Sequence, residues 1–82
     1  MKNIVIIGAG GVGREVSLII QQINELEQTW NLLGFIDDNT DNWGKVINGN
    51  SVIGGIDSLE FLSNDTYIVI AIANYEVKKN IV

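Results

Sequence analysis

The sequence of 82 residues contains no cysteine, no histidine and no proline. Without cysteine the chain can form neither a disulfide framework nor a thiolate zinc site. Without histidine it lacks the commonest general base, the commonest metal ligand and every nucleophile that a histidine activates. No pair of carboxylates is placed for acid–base work either, so the composition favours a binding domain over a catalytic one.

Basic side chains are scarce, since five lysines and arginines stand against ten acids and give a net charge of −5. A nucleic-acid-binding domain normally carries a basic face, so we expect no nucleic-acid partner. No apolar run approaches the ~20 residues of a membrane span. No signal-peptide core precedes the first predicted strand. We therefore expect a soluble, cytoplasmic protein with no membrane partner.

The most informative stretch is a glycine-rich turn between a predicted strand and a predicted helix. The apolar run Asn3–Ile7 is typical of a short parallel strand that is buried on both faces. Gly8, Gly10 and Gly13 follow in the spacing G-x-G-x-x-G, and an amphipathic helix is predicted from about Gly11 to Glu27. Its predicted buried stripe consists of apolar residues at helical spacing: Val12, Val16, Ile19, Ile20, Ile23 and Leu26.

Each glycine of this turn has a predicted role in a cradle for phosphate groups. Gly8 allows the sharp turn, Gly10 lets a phosphate approach the backbone, and Gly13 lets the helix pack close to the strand. Unpaired amides from Gly11 to Gly13 and the helix dipole favour an anion there, so a pyrophosphate would need no basic patch. The alternative is that the glycines only make a tight turn.

The second half of the chain predicts more strands and a short helix. A strand is expected over Asn31–Ile36, which completes a βαβ unit. Asn48 and Gly49 stand between apolar pairs and predict a hairpin turn. Asp57, with Glu60 three residues later, has the form of a helix N-terminal cap. The fold class is therefore α/β, a small Rossmann-like parallel sheet with a hairpin segment and a short second helix.

The last segment predicts one strand and the beginning of another helix. Thr66–Ile72 is the most β-prone run, and we expect it to form a central strand beside the first one. Residues Tyr75–Val82 predict the first turns of a helix, with Val77 and Ile81 on one face. A helix that stops there indicates an N-terminal domain cut from a longer protein.

Polar residues follow two of the predicted strands at the edge where open parallel sheets bind ligands. Asp37 and Asp38 follow the second strand, where an acid accepts hydrogen bonds from ribose hydroxyls in dinucleotide folds. Ala73 and Asn74 follow the last strand. The alternatives are a solvated turn for the two acids and a strand-end cap for Asn74. Trp43 is expected to anchor the core or a loop.

Four sequence segments follow one another in an order that identifies a family much more specifically than the glycine turn alone. They are IVIIGAGGVGREV, GFIDDN, WGKVINGNSVIGG and TYIVIAIAN. With them the chain resembles the N-terminal domain of the NeuD family of sialic acid O-acetyltransferases, a group that includes the bacillosamine acetyltransferase PglD. The resemblance implies a Rossmann-like domain over residues 1–82 that holds a nucleotide-sugar or a sugar, either a sialic acid or a UDP-amino-sugar.

The same resemblance implies a second domain that this chain does not contain. In the family, a left-handed parallel β-helix of hexapeptide repeats follows, forms a homotrimer, binds acetyl-CoA and carries the catalytic histidine. The full-length bacterial enzyme would then be an acetyl-CoA-dependent sugar acetyltransferase. Residues 1–82 alone would bind no cofactor, catalyse nothing, bind no metal, and be either monomeric or dimeric.

By motif position, the resemblance places substrate contacts at three places in the chain. The implied site consists of the glycine turn, the acidic turn and the loop after the last strand: Gly8, Gly10, Gly11, Val12, Gly13, Asp37, Asp38, Ala73 and Asn74. Val12 stands where the family usually has histidine. Ala73-Asn74-Tyr75 stands where it often has Gly-Asp-Asn.

Two other classes of function are compatible with the residues. One is the N-terminal part of an NAD(P)-dependent oxidoreductase or a nucleotide-sensing domain. That fold normally has a helix after the second strand. Residues 37–55 are too polar and glycine-rich for such a helix. The other is a structural module whose glycine turn is empty, which Val12 and the negative charge favour.

Overall fold

The computed structural model describes residues 1–71, and within them strands alternate with helical segments around one sheet. The strands are β1 (Lys2–Ile7), β2 (Trp30–Ile36), β3 (Val46–Ile47), β4 (Asn50–Gly54) and β5 (Tyr67–Ile70). The helix α1 (Gly11–Leu26) joins β1 to β2, and two 3₁₀ segments cover Thr40–Asn42 and Ile56–Phe61. The predicted α/β class with a Rossmann-like, mostly parallel sheet is confirmed.

The sheet has the strand order β3-β4-β2-β1-β5. β1 is parallel to both β2 and β5, β2 is parallel to β4, and β3 runs antiparallel to β4. The prediction that β5 lies beside β1 is confirmed. The prediction that it is central is wrong for residues 1–71, where β5 forms an edge of the sheet. An apolar run predicts a strand but does not specify its place in the sheet.

β1 is buried on both faces, as its unbroken apolar run predicts. Ile4 and Ile6 belong to the main core cluster between the sheet and α1. Val5, which points to the other face of the sheet, is also fully buried. Phe35 on β2 and Val52 on β4 extend the cluster across the sheet.

The face that α1 presents to the sheet differs from the predicted stripe. Ile20 is buried, and Val12 and Val16 pack against the core, as predicted. The prediction is wrong for three residues that are exposed to different extents: Ile19, Ile23 and Leu26. The buried row is instead Gly13, Ser17 and Ile20. Because Gly13 lets the helix backbone approach the strand closely, the row that faces the sheet runs from Gly13 through Ser17 to Ile20.

A two-residue turn joins β3 to β4 at the predicted position. Asn48 and Gly49 have φ values of 51° and 84°, which this kind of hairpin turn requires. The Asn48 side chain donates to Ser17 Oγ at 3.0 Å, and Gln21 Nε2 donates to the Asn48 carbonyl at 3.0 Å. The hairpin is therefore docked against α1.

The predicted cap of the second helix is wrong. The segment Ile56–Phe61 is a 3₁₀ helix whose N-cap is Gly55, with no side-chain cap, so Asp57 lies inside the first turn. The reason is that the Asp38 carboxylate accepts from the Ile56 N–H at 2.8 Å, which starts the segment before Asp57.

Several predictions fall on residues 72–82, which lie outside the described part of the chain. They are the final part of the last strand, the site residues Ala73 and Asn74, and the helix expected over 75–82. Within residues 1–71, no helix combines the length and the apolar composition that a membrane span requires.

Candidate functional site

The carboxyl ends of β1 and β2 and the N-terminus of α1 meet around an open cleft of about 360 Å³. This is the edge at which open α/β sheets bind ligands. The cleft is lined by Ile7, Gly8, Ala9, Gly10, Gly11, Val12, Ile36, Asp37, Asp38, Ile56 and Ala71. The structure thus brings the predicted acidic turn and most of the predicted glycine turn to one place, with Gly13 just behind them.

Two glycines of the turn are required by the fold itself. Gly8 has a φ of 108°, which L side chains rarely adopt. A Cβ on Gly13 would overlap the Gly8 carbonyl oxygen and lie 3.0 Å from the Gly8 carbonyl carbon. Gly13 therefore has the packing role that its place in the motif predicts.

The other two glycines are not required by any described neighbour. A Cβ on Gly10 or Gly11 would meet nothing within 4 Å. Gly10 has φ −80° and ψ −162°, an extended conformation open to any residue. Since both glycines line the cleft, the missing side chains leave the backbone there open to approach from outside.

The N-terminus of α1 has no side-chain cap. Gly10 is the N-cap residue and makes no side-chain hydrogen bond, and the first turn contains no acidic residue. The first amides of a helix have no partner within the helix and carry the positive end of its dipole. The start of α1 can therefore accept an anion from the cleft.

The Asp37 carboxylate is bonded within the protein. Its Oδ1 accepts from the Asn39 N–H at 2.9 Å. Its Oδ2 accepts from the Ala9 N–H at 3.3 Å and from Asn42 Nδ2 at 3.2 Å. The Asn39 N–H is the main reason why the pKa of Asp37 is lowered, and the Asn42 and Ala9 donors add to it against the opposing effect of burial. Asp37 therefore remains anionic at neutral pH.

Asp38 has a simpler set of contacts. Its Oδ1 accepts from the Ile56 N–H, and no other described residue donates to its carboxylate. A Cβ on Gly55 would lie 2.9 Å from the same oxygen, so glycine is needed for this approach. Because the side chain is exposed and lines the cleft, its second oxygen can accept a hydrogen bond from a ligand.

Trp43 anchors the loop that follows β2, as predicted. Its indole Nε1 donates to the Asp37 carbonyl oxygen at 2.6 Å. Its ring lies beside Gly55, where a Cβ would be 3.3 Å from Cζ2. The ring does not line the cleft, so it is not a stacking platform for a ligand there.

Sequence reasoning missed several contributors to the site, which include Ile7, Ala9, Ile36 and Ala71 in the lining of the cleft and two residues from the loops. Ile56 adds an apolar wall to the cleft, and Asn42 holds the Asp37 carboxylate. Ile56 has no local signal, because it reaches the site from a segment that is separate along the chain. Asn42 lies only five positions after Asp37, but its contact depends on how that loop folds. The signal that could have indicated them is the general rule that ligands bind at the carboxyl edge of the sheet, because it places the loops that follow the strands beside the ligand.

The chemistry of the cleft is that of binding. Among residues 1–71 no basic side chain lines it, so the described groups that could hold an anion are backbone N–H groups. Two carboxylates stand at one side, and apolar side chains such as Ile7, Ile36 and Ile56 form the walls. In residues 1–71, no group of three acidic side chains is close enough together to hold a metal ion.

Comparisons with known proteins agree with this fold. The family model described as the PglD N-terminal domain matches residues 3–82. A solved structure described as RSP in complex with beta-NADH is similar over 98% of this chain and 39% of its own chain, with 22% identity and a TM-score of 0.60. That likeness shows the fold alone, and our chain spans only 39% of that protein's length. A search of curated proteins finds no match.

Proposed function

The chain belongs to the family of PglD N-terminal domains, and from this premise we propose that it is the substrate-binding domain of a bacterial sugar acetyltransferase. The proposed ligand is a nucleotide-sugar or a sugar, either a sialic acid or a UDP-amino-sugar. In the full-length enzyme, a β-helix domain would bind acetyl-CoA, supply the catalytic base and form the homotrimer.

One observation carries the proposal, namely that Gly10 and Gly11 have no side chain although the described fold has room for one. A turn needed only for its shape would require glycine at Gly8 and Gly13, and the geometry explains both. The two remaining glycines are explained if a ligand approaches the backbone at the uncapped start of α1.

The arrangement suggests how a nucleotide-sugar would lie in the cleft. Its pyrophosphate would contact the amides at the start of α1, where Val12 offers its backbone and no side-chain hydrogen bond. The apolar walls would pack against a base or a sugar ring. At the acidic turn, the Asp38 carboxylate would accept from hydroxyl or N–H groups, since it has only one described donor, whereas Asp37 already has three. Ala73 and Asn74 remain proposed contacts from the sequence alone.

Acetyl transfer itself would belong to the β-helix domain of the full-length enzyme. The sequence has no histidine or cysteine, and no lysine lines the cleft among residues 1–71. Asp37, which lines the cleft, is better suited to accept hydrogen bonds than to move protons, since its donors lower its pKa. The role of this domain would be to hold and orient the substrate.

The experiment that tests this proposal is a calorimetric titration of the chain with UDP-N-acetylglucosamine, CMP-sialic acid and NADH. Gly10→Val should fold normally, because a Cβ there meets nothing within 4 Å and the backbone is extended. It should weaken binding by at least about tenfold, which corresponds to roughly 1.4 kcal/mol. Asn31→Ala is the control, since the side chain of Asn31 forms a hydrogen bond with Asn3 at the other end of the strands, away from the cleft lining.

NADH is included because a specific observation favours a nucleotide-sensing or oxidoreductase function as the second candidate. The similar solved protein is described as a complex with beta-NADH. Against this candidate, a 3₁₀ segment and a hairpin stand where such domains normally place a helix after β2. Binding of NADH alone would support it. Binding of none of the three ligands would favour a structural module with an empty turn.

A further inference from the structure

We propose that Asp37, Asn42 and Lys45 form a positioning relay that holds the glycine turn in the geometry of the ligand site. Here the relay means the hydrogen-bonded series from the Lys45 ammonium, through the Asn42 amide and the Asp37 carboxylate, to the Ala9 N–H. This differs from the role that the motif predicts for Asp37, which is to accept from a ribose hydroxyl.

The first link joins the acidic turn to the glycine turn. The Ala9 N–H donates to Asp37 Oδ2 at 3.3 Å across 28 positions of sequence. On either side of Ala9, the Gly8 N–H donates to the Ile36 carbonyl at 2.7 Å and Gly10 caps α1. The bond from Ala9 therefore fixes the orientation of the Gly8–Ala9 peptide, just before the N-cap Gly10.

The second link holds the carboxylate in place. Asn42 Nδ2 donates to the same Oδ2 at 3.2 Å, while Lys45 Nζ donates to Asn42 Oδ1 at 3.0 Å. Since the lysine occupies the amide oxygen, the amide nitrogen is directed at the carboxylate. The Asn39 N–H completes the set by donating to Asp37 Oδ1.

These contacts give the two adjacent acids, Asp37 and Asp38, different roles. Asp37 accepts from three protein donors, which leaves it little remaining capacity to accept from a ligand. Asp38 accepts from only one described donor and is the better acceptor for a ligand. The loop carries three charged neighbours of Asp37, namely Asp38, Asp41 and Lys45, whereas the glycine turn and β4 carry no charged side chain. The lowered pKa of Asp37 agrees with a carboxylate that is held by donors.

The test is a pH titration followed by the amide proton shifts of the chain. In the wild type, the Ala9 and Asn39 amide shifts should follow one titration, with a midpoint below the usual value for an aspartate. Asp37→Asn keeps an acceptor oxygen and should abolish the titration of the Ala9 shift. Asn42→Ala should raise the midpoint, and Lys45→Met should raise it less. The Asn31→Ala control should leave it unchanged.

An Ala9 shift that does not titrate with Asp37, or a midpoint that Asn42→Ala leaves unchanged, would overturn the relay. A purely structural role for Asn42 would lower stability without moving this midpoint. A role of the relay in ligand binding rests on the proposed function. If that function holds, Asn42→Ala should weaken the binding of UDP-N-acetylglucosamine severalfold at neutral pH. Failure of the wild type to bind that ligand would count against the proposed function, while the shift titration would still decide the relay.

Discussion

A single methyl group added at Gly13 should destabilise the whole domain. In Gly13→Ala the new Cβ would overlap the Gly8 carbonyl oxygen, which belongs to the backbone and cannot rotate away as a side chain would. Overpacking of this kind costs about 1–3 kcal/mol, and the upper end applies when backbone must move. The gain from replacing glycine inside a helix is only about 0.5–1 kcal/mol. The expected net loss is therefore about 2 kcal/mol.

The assay is urea denaturation at neutral pH followed by far-ultraviolet circular dichroism. Gly10→Ala is the matched control, because its Cβ meets nothing within 4 Å. Its free energy of unfolding should fall by less than about 1 kcal/mol, since alanine is a poorer N-cap than glycine but meets no neighbour. The reasoning is refuted if Gly13→Ala unfolds at the wild-type urea concentration, or if both variants lose the same stability. Either result would mean that the turn does not divide into fold-required and ligand-facing glycines.

Three further predictions concern stability, and denaturation measures each of them. Gly34→Ala should cost about 1–3 kcal/mol, because Gly34 has a φ of 152° and its Cβ would lie 2.6 Å from the Ser51 carbonyl oxygen; wild-type stability would contradict this. Ser17→Ala should cost about 1–2 kcal/mol, since the buried Ser17 hydroxyl accepts from Asn48 at 3.0 Å; an unchanged midpoint would show that the hairpin does not depend on it. The lowered pKa of Asp37 stabilises the fold above the usual aspartate pKa, and this contribution is lost as pH falls through the lower folded value. Asp37→Asn should reduce the loss of stability with falling pH in that range. A pH dependence of stability identical to that of the wild type would contradict the assignment to Asp37.

Much of the fold could be predicted because its signals are local. The apolar run before Gly8 and the amphipathic run after it identify β1 and α1 without any long-range information. The turn at Asn48 and Gly49 could be predicted because both residues tolerate positive φ, and both adopt it. The same reasoning located the acidic turn at the carboxyl edge of β2, beside the glycine turn.

The errors arose where distant segments decide the outcome. Ile19 and Ile23 match a helical stripe but are exposed, because the close approach at Gly13 selects Ser17 and Ile20 for the buried row. Spacing alone carries no information about how near two backbones come. Asp57 has the form of a cap, yet the carboxylate of a residue 18 positions from Ile56 starts that segment instead.

The same limit applies to the two acids of the candidate site. The sequence shows a pair of adjacent aspartates after a strand, which does not reveal that one of them bonds to the Ala9 N–H. Only the folded loop, with Asn42 and Asn39 around the carboxylate, separates a residue that positions the turn from one that faces the cleft. Residue type and order could therefore locate the site but could not assign these roles.

The central claim is that a sugar nucleotide binds at the backbone of the glycine turn. The most direct test follows the backbone amide shifts of the chain during separate additions of UDP-N-acetylglucosamine, CMP-sialic acid and NADH. The account predicts saturable shifts at Gly10, Gly11 and Asp38 with a sugar nucleotide, and none at Asn31. Shifts at these residues with NADH alone, or no shift at Gly10 and Gly11 with any of the three, would contradict it.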